Sequence, residues 1–365
     1  MISGKEADLG RQTTYQKWVE SEGIPIIRDF YIQDIHKLPL EPWERKGGLG
    51  VYLNLIGTGE ANDAYICEIP PGKALKPQRH LFEEMIYVVQ GRGATAVWLE
   101  GKKKQTFEWQ AGSLFSPPLN SWHQHFNGGG SEPVRYLAVT SAPVVINLFH
   151  NLDFVFDNSF QFADRFSSED NYFSGKGESY PGRVWDTNFV PDVKAIALQE
   201  WRERGAGGKN IMLELSENTM AAHISEFPVG TYKKAHRHGP GAHVVIVGGT
   251  GYSLLWPEGS PIKRYDWQEG SVIVPPENWF HQHCNTGGSP ARYLALRWGS
   301  RKFRAGSKAY GVDESIKSGG DQIEYDDEDP QIHQEFEASL TQIGVSCRMG
   351  TYHPLCTYRE AARAV

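Results

Sequence analysis

The chain contains no Cys-x-x-Cys pair. Its four cysteines, Cys67, Cys284, Cys347 and Cys356, are scattered through 365 residues. At that spacing they read as thiols of a reducing compartment, not as a disulfide framework. The start, "MISGKEADLGRQTTYQKW", has no apolar core of a secretory signal. No apolar run approaches the ~20 residues of a membrane span. These two absences lead us to expect a cytoplasmic protein with no membrane partner. Positive charge is also short: the formal net charge is −7 and no basic stripe appears, which excludes a nucleic-acid surface.

What the chain does have is turns and rings. Glycine occurs 39 times, proline 21 times, and aromatic residues make up 12 %. That mixture favours short strands joined by tight turns. The length suits two domains.

The chain writes one pattern twice. "PPGKALKPQRHLFEEMIYVVQGRG" (70–93) lies against "FPVGTYKKAHRHGPGAHVVIVGGTG" (227–251), and "AGSLFSPPLNSWHQHFNGGG" (111–130) against "EGSVIVPPENWFHQHCNTGG" (269–288). Gly72 and Gly230, His80 and His238, Gly112 and Gly270, and His123 and His281 all stand 158 apart. A fixed offset without insertion marks an internal duplication. Each copy is a series of short apolar or alternating segments, which predicts an all-β fold of two barrels in tandem. The organisation expected is an N-terminal arm (1–48), barrel 1 (49–145), a linker (146–208), barrel 2 (209–302) and a tail (303–365). Helices are predicted near Tyr15–Glu22, within "VPDVKAIALQEWRERG" (190–205) and within "DPQIHQEFEASLTQIG" (329–344), the last docking on a barrel or a second subunit. The acidic run "EYDDEDP" (324–330) reads as a solvated turn.

The two copies resemble the cupin superfamily. Copy one reads Gly72-x5-Gln78-x-His80-x3-Glu84-x6-Gly91, then Gly112-x5-Pro118-x-Asn120-x2-His123-x3-Asn127. Copy two reads Gly230-x5-His236-x-His238 and Gly249, then Gly270-x5-Pro276-x-Asn278-x2-His281-x3-Asn285. The resemblance implies jelly-roll-like barrels, each able to enclose a metal. Asn120 and Asn278 stand where the motif has glycine, and Asn tolerates the same backbone angles.

Two candidate metal sites follow. In H-x-H the histidines share one strand face, so His236 and His238 can meet His281 from a distant strand. The position matching Glu84 is Ala242, so this set has no carboxylate. Such a triad resembles the iron site of gentisate dioxygenase-type cupins, though those carry it in their first barrel. Fe(II) is the expected ion, and Mn, Zn, Ni and Cu also suit such ligands. The other set is Gln78, His80, Glu84 and His123, either a second metal site or a degenerate barrel. His243 has the opposite strand parity and is expected at the surface or an interface. His283, like His125, is on the ligand face and is a candidate acid/base. Trp122, Trp279 and Phe280 read as core. Tyr87, Tyr252, Arg237, Arg292 and Arg297 are cationic or phenolic groups near the motifs that can reach an anionic substrate or simply be solvated.

The resemblance implies an Fe(II)-dependent dioxygenase acting on a small hydroxylated aromatic or enolisable acid, with O2 as co-substrate, in a homo-oligomer. The alternatives are an oxygen-independent metal isomerase, lyase or hydrolase, and a non-catalytic bicupin that binds a small ligand.

Overall fold

The structure is a computed structural model that describes residues 12–303 and 314–356. It is built from strands, as the duplication predicts. Strand Asp63–Ile69 pairs antiparallel with Val134–Thr140, from Ile69 opposite Val134 to Asp63 opposite Thr140. Successive side chains leave a strand on opposite faces. Tyr65, Cys67, Tyr136 and Ala138 therefore pack inside barrel 1, while Ile66, Leu137 and Val139 point out of it.

These strands belong to a sheet ordered Gly48–Leu53, Asp63–Ile69, Val134–Thr140, Glu84–Gln90, Leu114–Phe115. A three-stranded sheet of Trp122–Asn127, Arg92–Trp98 and Gln105–Gln110 completes barrel 1. Barrel 2 repeats the plan. Its larger sheet runs Lys209–Leu215, Met220–Phe227, Ala291–Trp298, His243–Gly248, Val272–Ile273, and its smaller one Lys263–Trp267, Gly251–Trp256, Phe280–Asn285. The outward faces of the two larger sheets pack on each other. Ile66, Val139 and Met85 share one apolar core with Leu213, Ile224 and Leu296, the sheet-on-sheet packing of a sandwich. Asn120 and Asn278 have φ of 54° and 62°, the left-handed turn expected where the motif has glycine.

The duplication extends beyond the barrels. Tyr31–Ile32, in the arm, adds to the edge strand Val272–Ile273 of barrel 2. Phe189–Val190, in the linker, adds to the matching edge Leu114–Phe115 of barrel 1. Ile35 N–H donates to Gly270 O and Val193 N–H to Gly112 O, each at 2.9 Å. All these positions differ by 158, so each half sends a strap across to the other half's barrel. The strap explains why 190–205 is not the expected α-helix. Its backbone donors and acceptors are committed to a sheet edge, and only the short 3-10 turn Arg202–Arg204 forms.

Two expected helices form. Thr14–Ser21 carries a capping box between Thr13 and Gln16. Its Trp18 lies over barrel 1 against Tyr52, Phe82 and Phe156, with ring centroids 6.0, 6.2 and 5.4 Å away. Pro330–Gln342, capped by Asp329, docks on barrel 2 through Phe336, 4.8 Å from the Tyr232 ring. The acidic run before it is not simply solvated. Tyr325 and Glu328 are buried, because the Tyr325 hydroxyl donates to Tyr232 O at 2.5 Å and Glu328 accepts from the Tyr232 hydroxyl. Among the described residues no helix is long and apolar enough to cross a membrane.

Candidate metal centres

In barrel 2 the segment carrying His236 and His238 runs beside strand Phe280–Asn285. His236 and His281 exchange backbone hydrogen bonds of 3.0 and 2.9 Å, and Asn278 N–H donates to His238 O at 3.0 Å. This pairing turns the three imidazoles towards one point. Their ring centroids lie 5.6 Å (His236–His238), 4.1 Å (His236–His281) and 4.9 Å (His238–His281) apart. One nitrogen from each falls within 4.8 Å of the others.

The protonation of the rings suits ligation. His236 Nδ1 lies 3.2 Å from Lys234 O and His281 Nδ1 lies 3.3 Å from Trp279 O. A carbonyl only accepts, so Nδ1 carries the proton in both, and the lone pair is left on Nε2. Burial and the neighbouring Arg204 and histidines hold His236 well below the ordinary histidine range, and burial, with Arg204 and Lys233 nearby, pushes His281 down to about 4. His238 is lowered likewise, by burial, His281 and Arg297. Three neutral imidazoles facing one another form a donor set that a divalent transition metal fits.

The triad opens on a cavity of about 690 Å³. Arg183, Arg204, Arg297 and Arg301 line it, with Arg237 and Asp321 among the other lining residues. Of the groups suggested for an anionic substrate, Arg297 and Arg237 line this space, Arg237 already paired with Glu258 and Asp321 at 2.7 and 3.1 Å. Arg292 instead pairs with Glu226 and holds the strap carbonyl of Val193 at 3.1 Å. Tyr252 packs outward under Arg264, and Tyr87 lies in the core between the barrels. Sequence reasoning missed Arg204, His223 and Tyr293. Arg204 was readable only as the counterpart of Lys46, 158 residues earlier, and the two share no letter.

His283 lines the same cavity. Trp267 Nε1–H donates to Ser253 Oγ at 3.0 Å, and Ser253 Oγ lies 2.7 Å from His283 Nδ1. Ser253 Oγ thus bridges the Trp267 indole and the His283 ring and fixes the ring's orientation. The same chain recurs in barrel 1 as Trp109, Thr95 and His125, at 2.8 Å for both bonds. The arrangement is therefore structural in both halves, and only in barrel 2 does the outer nitrogen have a cavity beside it. Tyr293 accepts from Lys233 Nζ at 3.0 Å; burial opposes its ionisation, yet Lys233 brings it below the ordinary tyrosine value. His243 is fully buried on the other face, in the core between the barrels, and is not among the triad. Trp279 and Phe280 pack on neighbouring side chains, and Trp122 stacks on Trp98 at 6.1 Å.

In barrel 1, His80, Glu84 and His123 converge, all buried. His80 Nδ1 lies 2.8 Å from Phe82 O, which leaves its Nε2 a bare acceptor. Glu84 Oε2 lies 3.9 Å from that nitrogen and 3.7 Å from His123 Nε2. Neither His80 Nε2 nor Glu84 Oε2 has a hydrogen-bond partner. Two buried acceptors facing each other fit a cation between them. Gln78 lies beside this set, its Nε2 3.0 Å from His123 Nε2 and its Oε1 accepting from Arg45 at 3.4 Å. Burial works against ionising Glu84, yet Lys46, His80 and His123 hold its carboxyl down at about 2. Its Oε1 accepts from Tyr65, whose hydroxyl in turn accepts from Lys46 Nζ at 2.6 Å.

Residues 65–140 match the family model of a cupin domain. No curated protein matches the sequence. Among solved structures, the chain is similar to oxalate decarboxylase of Bacillus subtilis in several forms. A four-residue segment variant is 16 % identical with a TM-score of 0.50, and a form studied for its Mn(II) centres is 15 % identical with a TM-score of 0.50. Each comparison covers 75 % of this chain and 78 % of the other. At that identity the likeness is one of fold: two cupin barrels in tandem.

Proposed function

Starting from a tandem-barrel chain with a cupin domain at residues 65–140, we propose that barrel 2 is a non-haem Fe(II) dioxygenase centre for a small hydroxylated aromatic or enolisable acid. The observation that carries this reading is the exchange of Glu84 for Ala242 beside three neutral histidines, opening on an arginine-lined cavity. A ligand set without charge leaves a divalent ion its full attraction for an anionic substrate. Bound there, Fe(II) would supply Lewis acidity and electron exchange between substrate and O2.

The chain's own residues do the rest. Arg204 and Arg297, which line the cavity, hold the substrate carboxylate. Tyr293, whose ionisation Lys233 eases, takes a hydroxyl proton from the substrate as its phenolate. His283 donates from Nε2 to an oxygen on which charge develops. The balanced reaction breaks one C–C bond and places both atoms of O2 in the product, with no external reductant. Iron-loaded protein incubated with a panel of hydroxybenzoates and 1,3-dicarbonyl acids should consume O2 in proportion to product. Absence of uptake across the panel with metal present rejects the reading.

A second reading is favoured by the same cationic cavity and by the fold shared with oxalate decarboxylases. It is a redox-neutral, metal-dependent lyase on a small carboxylate, with Mn(II) as the ion. Carbon dioxide release under strict anaerobiosis selects it over the first.

A further inference from the structure

Away from both barrel interiors, the tail gathers a different set of ligands. His333 and Glu337 project from one face of helix Pro330–Gln342, one turn apart. Cys347 and Cys356 come from the segment that follows and folds back over the helix. One ligand atom from each of these four residues lies within 4.8 Å of all the others. Cys347, Cys356 and His333 are buried.

Three edges of this group match a metal tetrahedron. The two Sγ atoms are 3.5 Å apart, Cys356 Sγ is 3.6 Å from Glu337 Oε1, and His333 Nε2 is 3.2 Å from the same oxygen. Tetrahedral zinc with ordinary bond lengths sets those edges at about 3.8, 3.6 and 3.3 Å. His333 is also oriented from behind. Its Nδ1 lies 3.1 Å from the Tyr232 hydroxyl, so Nε2 is the nitrogen turned to the cluster, the usual outer support of a ligating histidine.

We propose that Cys347, Cys356, His333 and Glu337 form a structural Zn(II) site that staples the tail to barrel 2. The site does not depend on the function of the barrel triad. Its mechanical effect is local. Tyr232 lies four residues before His236, and Arg348 N–H donates to Gly230 O at 2.8 Å. The staple therefore fixes the start of the segment that carries His236 and His238.

The test uses the full chain, reduced, stripped with chelator and reloaded with Co(II). Neither barrel set contains sulfur, so a thiolate-to-Co(II) charge-transfer band in the near ultraviolet reports the tail site alone. Wild type and the double variant H236A/H281A should both show the band and retain, when loaded with zinc, one Zn(II) equivalent over that held by the barrels. The variant C347S/C356S should lose the band and that equivalent, and its residues 343–356 should become accessible to limited proteolysis. No band in wild type, zinc content unchanged in C347S/C356S, or a Cys347–Cys356 disulfide in freshly isolated protein each overturns the proposal. Because the wild-type spectrum is itself decisive, a variant that fails to fold does not shield the idea.

Discussion

The two barrels share strand order, strap and histidine positions, yet one is filled and the other hollow. The difference lies in a few side chains. In barrel 1, Tyr52 and Tyr65 face each other across paired strands; the matching pair in barrel 2 is Met212 and His223. Glu84 lies opposite Thr140, and Thr140 opposite Asp63. Their counterparts are Ala242, Arg297 and Ala221, with Arg297 opposite Ala221. Barrel 1 thus has two carboxylates and Lys46 in this layer, and barrel 2 has two alanines with Arg297 and Arg204. Loss of volume opens the cavity, and the same exchanges reverse the sign of its charge. Barrel 1 is further closed from above by Trp18, Phe82 and Phe156. A closed, charge-balanced site suits a structural ion, whereas an open cationic one suits chemistry on an anion.

The sharpest way to break this comparison is to remove the same ligand from each half. His281→Ala should empty barrel 2 of metal and lower turnover by roughly 10³-fold or more. Its counterpart His123→Ala should cost stability but leave the barrel 2 metal content intact, as metal analysis beside steady-state rates will show. Next, Ala242→Glu restores the carboxylate of barrel 1 beside Arg297. It should keep the metal and weaken an anionic substrate by about tenfold or more, since like charges repel strongly in a desolvated site. An unchanged KM would mean that charge sign at that layer is immaterial. Arg297→Gln should raise KM by about 10- to 100-fold, the loss of one charge-assisted hydrogen bond of about 1.5–3 kcal/mol.

The remaining effect concerns barrel 1 alone and leaves turnover untouched. Asp63 accepts from the hydroxyls of Tyr15 and Thr140, yet burial raises its pKa from 3.8 to about 6. A carboxyl raised in the folded state is penalised when ionised. The penalty is absent below pH ~4, grows as pH rises, and is complete above the folded value, where it amounts to roughly 2–3 kcal/mol. Asp63→Asn should therefore be more stable than wild type in urea at pH 7 and lose that advantage near pH 4. An equal difference at both values would refute the sign.

Much of this was legible in the residues, for physical reasons. The barrels announce themselves because turns need glycine, proline or asparagine at fixed places, and H-x-H places two rings on one face. The straps were not legible. "YIQDIHKL" (31–38) and "FVPDVKAI" (189–196) agree in letter only at Asp34 and Asp192, because what is shared is a set of backbone hydrogen bonds. That hidden pairing is also why a helix was expected across 190–205. The cavity was equally hidden, since it depends on which small side chains meet across strands, not on any one of them. The tail cluster combines cysteines 9 residues apart with a helix, a spacing no short motif describes.

The central claim is that His236, His238 and His281 hold a catalytic ion at the floor of an open, cationic barrel. Anomalous scattering at the iron edge from a crystal of the iron-loaded protein tests it directly. The account predicts a strong peak bonded to the Nε2 atoms of these three residues, with exchangeable positions facing Arg204 and Arg297. A peak confined to His80, Glu84 and His123, with nothing among the three histidines of barrel 2, would contradict it.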